Sequence, residues 1–159
     1  MTAQTGSFHA RFMSAAAPAR LARAALLMLA PLAVSAPALA AEASWTVALT
    51  GTAEAPTPGD PAAKGTAKVN VDDSTGYLCY DITTDGLTKA TMAHVHKGAK
   101  GTAGPPVVTL NTPLGGASKA CAKIDTALAK AILAKPSDYY VNVHNEAFPA
   151  GAIRAQLAS

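Results

Sequence analysis

Between Trp45 and Leu157 apolar and polar residues change places almost every position. Trp45-Thr46-Val47-Ala48-Leu49-Thr50 alternates large apolar side chains with small or polar ones, the period-two pattern of a half-buried strand. Gly51 ends it, and residues 55–61 hold three prolines and a glycine, a loop because proline has no N–H to give a ladder. In the next strand Ala67, Val69 and Val71 share one face, and Lys68, Asn70 and Asp72 the other. Asp73-Ser74-Thr75-Gly76 turns that strand into residues 77–83, rich in strand formers, which predicts a hairpin. Asp85-Gly86 marks another turn before a strand through Met92, His94 and His96. A polar loop over 97–106 and short strands at 107–110 and 120–124 follow. One segment has helical period: Asp125 or Thr126 caps a helix over 127–134, with Leu128, Ala131 and Ile132 at helical spacing and Pro136 ending it. Residues 139–144 and 152–157 return to alternation. About eight short strands and one brief helix predict an antiparallel β-sandwich or barrel.

The first forty residues read as an address rather than as structure. Arg11, Arg20 and Arg23 form a basic lead, residues 24–38 an apolar run, and Ala38-Leu39-Ala40 a small-x-small cleavage site. The run is short for a bilayer span of about 20 residues, and none like it follows, so no membrane anchor is expected. The predicted organisation is a signal peptide over 1–40 and one domain over 41–159, delivered to the periplasm or secreted. Export changes the charge as well. Three of the thirteen basic residues and none of the ten acidic ones fall in 1–40, so the mature chain carries ten of each. A neutral domain gives no support to nucleic-acid binding.

Cys79 and Cys121 survive in a chain sent to an oxidising compartment, so a disulfide is expected. A cysteine ligand beside the histidines is the competing reading. Of the four histidines, His9 lies in the address, and His94, His96 and His144 all fall in two strand-like pieces. His94 and His96 are two apart and share a face, with roots about 7 Å apart, close enough to share one ion if the rings tilt together. His144 from a neighbouring strand would complete a three-nitrogen set suited to copper or zinc. Met92 shares that face, and its thioether is a candidate fourth, soft ligand that would favour Cu(I); the competing reading is core filling. Asp138 and Glu146 are candidate extra ligands or acceptors for an imidazole N–H, against ordinary solvated carboxylates. The structural reading of the histidines has them hydrogen-bonding across the sheet to Asn142 or Glu146. Arg154, the one mature arginine, sits on the polar face of the last strand, where a structural role is expected, with a carboxylate as a candidate partner.

The runs Leu49-Thr50-Gly51-Thr52-Ala53-Glu54, Gly65-Thr66-Ala67, Ala93-His94-Val95-His96, Gly104-Pro105-Pro106-Val107-Val108 and Tyr140-Val141-Asn142-Val143-His144 resemble the CHRD domain, the module repeated in chordin. So does Phe148-Pro149-Ala150-Gly151-Ala152-Ile153-Arg154-Ala155-Gln156-Leu157. The resemblance spans roughly 44–157, is closer to the single exported domains of bacteria than to animal chordin, and implies a β-sandwich. A weaker, site-level similarity is to copper,zinc superoxide dismutases, which also place a His-x-His pair on one strand and a further copper-binding histidine near the end of a late strand. Those enzymes need more histidines, one bridging copper to zinc, and the mature chain has none left to supply. A dinuclear site is therefore not expected.

The sequence thus predicts an all-β, antiparallel Greek-key β-sandwich with one short helix near 126–134. It predicts one copper or zinc ion on His94, His96 and His144 for extracytoplasmic metal handling, with an extracytoplasmic protein as a further partner. The alternative is a non-catalytic protein- or glycan-interaction module with structural histidines, and a dismutase-like copper redox enzyme ranks third. No nucleophile elbow, phosphate loop or Cys-x-x-Cys pair is present, so the reading leans away from an enzyme.

Overall fold

A computed structural model describes residues 40–158. The address segment up to residue 39 lies outside the described residues. Eight strands follow in chain order: β1 (Glu42–Thr50), β2 (Lys64–Asp72), β3 (Tyr77–Asp85), β4 (Ala90–Lys97), β5 (Pro106–Leu110), β6 (Ala117–Lys123), β7 (Tyr139–Asn145) and β8 (Ile153–Gln156). The helix α1 (Thr126–Ala134) stands between β6 and β7. All neighbours are antiparallel, in the single order β5-β4-β7-β8-β1-β2-β3-β6. The eight strands are therefore one nearly closed sheet wrapped on one core. Across the seam between its ends, the Tyr80 hydroxyl of β3 accepts the N–H of Asn111 just after β5 at 2.7 Å.

Alternation along each strand decides what enters that core. Leu49, Ala67, Val69, Val71, Leu78, Ile82, Ala93, Val95, Val141, Val143 and Ile153 are all at most 1% exposed. Burying a branched aliphatic side chain contributes about 1.5–3 kcal/mol, so this face dominates the stability. Asp125 caps α1, its carboxylate accepting the Ala127 N–H at 2.7 Å. The helix turns Ala129 and Ile132 inward with Leu128 and Leu133 beside them, while Ala131, expected on the apolar face, is exposed. No helix among the described residues is long and apolar enough to cross a membrane.

Two features of the sheet position the candidate site. First, β7 is buried at every position, both faces included, which its alternating sequence does not announce. Its core face packs inside, and its outer face is roofed by the 97–104 loop and the turn after β7. Second, the outer-face residues of three adjacent strands fall into rows: Met92 opposite His144, then His94, Asn142 and Arg154, then His96, Tyr140 and Gln156.

Far along the sheet, Cys79 of β3 and Cys121 of β6 stand directly opposite one another and are joined, 42 residues apart in the chain. A crosslink closing a loop of that length stabilises by about 4 kcal/mol in the chain-entropy model. Replacing both with serine is expected to lower unfolding stability by about that amount while leaving the strand content unchanged. Urea titration followed by circular dichroism checks this, and unchanged stability would contradict it.

Candidate metal centre

Strand β4 brings His94 and His96 to the outer face, and β7 brings His144, because each strand spends its intervening residues on the core. The register then sets the three rings against one another. Ring centroids lie 5.3 Å apart for His94 and His96, 5.2 Å for His94 and His144, and 6.2 Å for His96 and His144. One ligand nitrogen from each lies within 4.8 Å of the other two.

The hydrogen bonds around the rings decide which nitrogens are free. His96 Nδ1 donates to the Gly104 carbonyl at 2.8 Å, and His144 Nδ1 donates to the Pro149 carbonyl at 3.0 Å. A carbonyl oxygen can only accept, so both protons sit on Nδ1 and both Nε2 atoms keep lone pairs. The His96 Nε2 is buried with no partner among the described residues. The His144 Nε2 faces His94 Nδ1 at 3.2 Å, which makes His94 the donor in that pair. An orphaned lone pair, a second directed to the same spot and a third nitrogen within reach form a donor set suited to one ion of the copper or zinc class. Burial, and behind it the neighbouring rings, hold the His94 imidazole below its ordinary pKa; His144 is lowered too, again chiefly by burial, against the opposing pull of the Pro149 carbonyl. Neutral imidazole is the form that binds metal.

The roof over this row is fastened from below. Gly104 has to lie directly on the Lys97 carbonyl, where a Cβ would collide, and only so does its own carbonyl reach His96. Its N–H is taken by the Tyr140 hydroxyl at 3.1 Å. The Tyr140 ring stacks on His96 with centroids 4.8 Å apart and planes 7° from parallel, and the Arg154 guanidinium lies 3.4 Å over the same ring. Arg154 donates to the carbonyls of Thr102 and Ala99 at 2.9 and 3.0 Å, and the Gln156 amide donates to the Gly98 and Ser137 carbonyls. Arg154 is 1% exposed, and the carbonyls and the aromatic face supply the partners a buried cation needs.

Arg154 forms no ion pair within contact distance among the described residues, and the carboxyl whose charge it senses is Glu54, from the short turn after β1. Its side chain is pressed against Gly151, where any Cβ would fall on the carboxyl. Burial pushes the Glu54 carboxyl up to about 7; the Arg154 charge, the Asn142 side chain and the Ala55 N–H oppose the rise. Glu54 Oε1 and Asn142 Oδ1 are both buried without a partner among the described residues.

Other expected residues fall outside the ring cluster. Met92 is on the right face and opposite His144, but 45% exposed, at the solvent edge of the row rather than in the core. Glu146 pairs with Lys89 at 2.7 Å and Asp138 with Lys135 at 2.8 Å, so both are solvated ion-pair carboxylates. Neither Asn142 nor Glu146 holds a histidine by hydrogen bond; backbone carbonyls do. The sequence reading missed Glu54 and the Tyr140 stack, and its only signal for Glu54 was an acid inside an otherwise small and apolar run.

The Glu54 carboxyl makes a definite pH prediction. Its pKa is raised in the fold, so its contribution is intact below the ordinary value of 4.5 and is lost as pH climbs through about 7. Glu54→Gln is therefore expected to gain stability relative to the unmodified protein between about pH 5 and pH 8. Paired urea titrations at the two pH values read the difference, and a constant gap would contradict it.

The CHRD domain family model matches residues 45–157. No curated protein and no solved structure matches the chain. The matched span runs from within β1 to just past β8 and takes in all three histidines of the cluster, Glu54, Tyr140 and Arg154. With its eight-stranded, disulfide-joined sheet and the histidine row on its outer face, the chain belongs to the CHRD-domain family.

Proposed function

We propose that this CHRD-domain protein binds one copper or zinc ion through His94 Nδ1, His96 Nε2 and His144 Nε2, and handles that metal outside the cytoplasm. The observation that carries the reading is the pair of Nδ1–H bonds to the Gly104 and Pro149 carbonyls, which leave the Nε2 lone pairs of His96 and His144 facing the cluster. Metal-binding histidines are held in this way, with the outer nitrogen tied to an acceptor that fixes the tautomer. For His94 to join, its proton moves from Nδ1 to Nε2 and the bond to His144 is given up. Three nitrogens leave at least one position open, and Met92 at the solvent edge is the proposed occupant when the ion is Cu(I), since a thioether suits a soft cation. An exposed ligand also suits transfer to a partner protein.

Export is part of the same proposal. It rests on the basic lead, the apolar run and the Ala38-Leu39-Ala40 site, and the Cys79–Cys121 disulfide accords with an oxidising compartment. A second reading takes its support from the same hydrogen bonds. His96 and His144 tie the 97–104 loop and the turn at Pro149 to the sheet, which is what structural histidines in an interaction module would do.

Titration with Cu(I), Cu(II) and Zn(II) separates the two. The metal reading expects one equivalent bound, with affinity falling by more than about a hundredfold in His94→Ala/His96→Ala, since even outer partners of ligands are worth ten- to a hundredfold. Met92→Leu is expected to weaken Cu(I) and leave Zn(II) unchanged. Binding no tighter than in the double variant, with thermal stability indifferent to chelator, would leave the interaction module as the description.

A further inference from the structure

Beside Asn142 and Arg154, which share a row with His94, lies a carboxyl that is no part of the three-nitrogen set. Glu54 is 8% exposed, and one of its oxygens finds no partner among the described residues. Two routes connect it with the cluster. Asn142 stands directly opposite His94 across the β4–β7 ladder and is also a neighbour of Glu54, and its Oδ1 is likewise unpartnered. The turn after β7 touches both ends, since Pro149 accepts the His144 proton while Gly151 packs on the Glu54 carboxyl. Glu54 also has a path to water. Strands β1 and β8 pair only at Thr50 and Arg154 and then part, leaving a cavity of about 550 Å³ lined by Thr46, Glu54, Lys100, Arg154 and Gln156 among others.

Electrostatics makes this arrangement more than adjacency. A divalent ion on three neutral imidazoles would place two positive charges in a largely buried layer that already contains Arg154. Such charge in a mostly buried layer is stabilised by a compensating charge close by. Among the groups facing Glu54, Arg154 from β8 is cationic, and Lys100 lines the same cavity at its exposed rim; Asp60, from the loop after β1, instead accepts the Asn145 amide. Glu54 is thus the acid in the layer able to supply a negative charge.

Resting on the three-histidine reading, we propose that Glu54 is the charge-balancing acid of the site, releasing its proton through the β1–β8 cavity to solvent as a divalent ion binds. The proton balance is simple: the O–H bond of the Glu54 carboxyl breaks, the proton passes to bulk water or buffer, and the carboxylate remains facing Asn142 and Arg154. Glu54 itself is a positioning and charge-setting residue rather than a ligand. Its carboxyl, pushed up to about 7 by burial, is largely protonated just below neutrality, so there is a proton to release. The linkage has a consequence for ion choice: a site that gains a buried negative charge on loading favours a divalent over a monovalent cation.

The test is Zn(II) calorimetry on the protein and on Glu54→Gln, at about pH 6.5 in buffers of different ionisation heat, which counts protons released. The histidines' own contribution is common to both proteins and cancels in the comparison. The unmodified protein is expected to release at least about half a proton more than Glu54→Gln does, and to bind zinc about tenfold tighter at pH 8, the equivalent of one unit of coupled pKa. A second readout needs no substitution: the Glu54 side-chain carboxyl ¹³C shift, titrated with and without Zn(II), is expected to show a lower midpoint with the metal. Equal proton counts, or a midpoint that zinc does not move, would overturn the role of Glu54 while leaving the histidine site standing. Absence of zinc binding by both proteins would overturn the metal reading, and the inference with it.

Discussion

The constraint on which the candidate site depends is the complete burial of β7. A strand buried on both faces has to satisfy every polar group on its outer side from within the protein, because water is not there to do it. Tyr140, Asn142 and His144 impose that demand, and loop backbone meets much of it, at the Tyr140 hydroxyl and the His144 Nδ1, while the His94 ring takes the His144 Nε2. Gly104 serves Tyr140 and His96 together, Pro149 serves His144, and Arg154 and Gln156 hold the 97–104 loop in place so that Gly104 can do so. The polar atoms still unsatisfied are informative. The His96 Nε2, the Asn142 Oδ1 and the Glu54 Oε1 all belong to one layer, and buried polar atoms left without partners ask for an explanation. A bound ion would account for the first and a protonated acid for the last.

Much of the fold was legible because an antiparallel strand with one wet face writes its geometry into every second residue. Trp45 to Thr50 and the run from Ala67 to Asp72 could be placed on faces from side-chain type alone, and the turns came from glycine, proline and aspartate. The same code is silent about coverage. Nothing in Tyr139 to Asn145 distinguishes an outer face open to water from one beneath a loop. That depends on where residues 97–104 travel, which is a matter of backbone path. The helix shows a related limit. Leu128 and Ile132 fix its apolar side, but alanine is indifferent enough that Ala129 faces inward and Ala131 outward without any residue-level cue. Whether eight strands make two separate layers or one rolled sheet is likewise decided by the β8–β1 pairing, a contact between the two ends of the domain.

For the site, the three histidines could be brought together in sequence because i and i+2 share a face and a neighbouring strand carries a third. Their supports could not. The Nδ1 partners of His96 and His144 are backbone carbonyls, which every residue possesses and none advertises, and the Tyr140 ring between His96 and Arg154 reflects three strands in register. Glu54 was hidden for the opposite reason. It is local to β1 in sequence and reaches the histidine layer because β1 pairs with β8, the neighbour of β7, a juxtaposition of distant parts of the chain.

Gly104 contributes no side chain, yet its carbonyl determines which nitrogen His96 offers, and its lack of a Cβ is what lets that carbonyl arrive. Three histidines grafted at the same spacing onto another sheet would therefore carry over the ligands without their tautomers. The transferable unit is a backbone trajectory, strand plus returning loop, in which the residue with least chemistry of its own governs the chemistry of its neighbour.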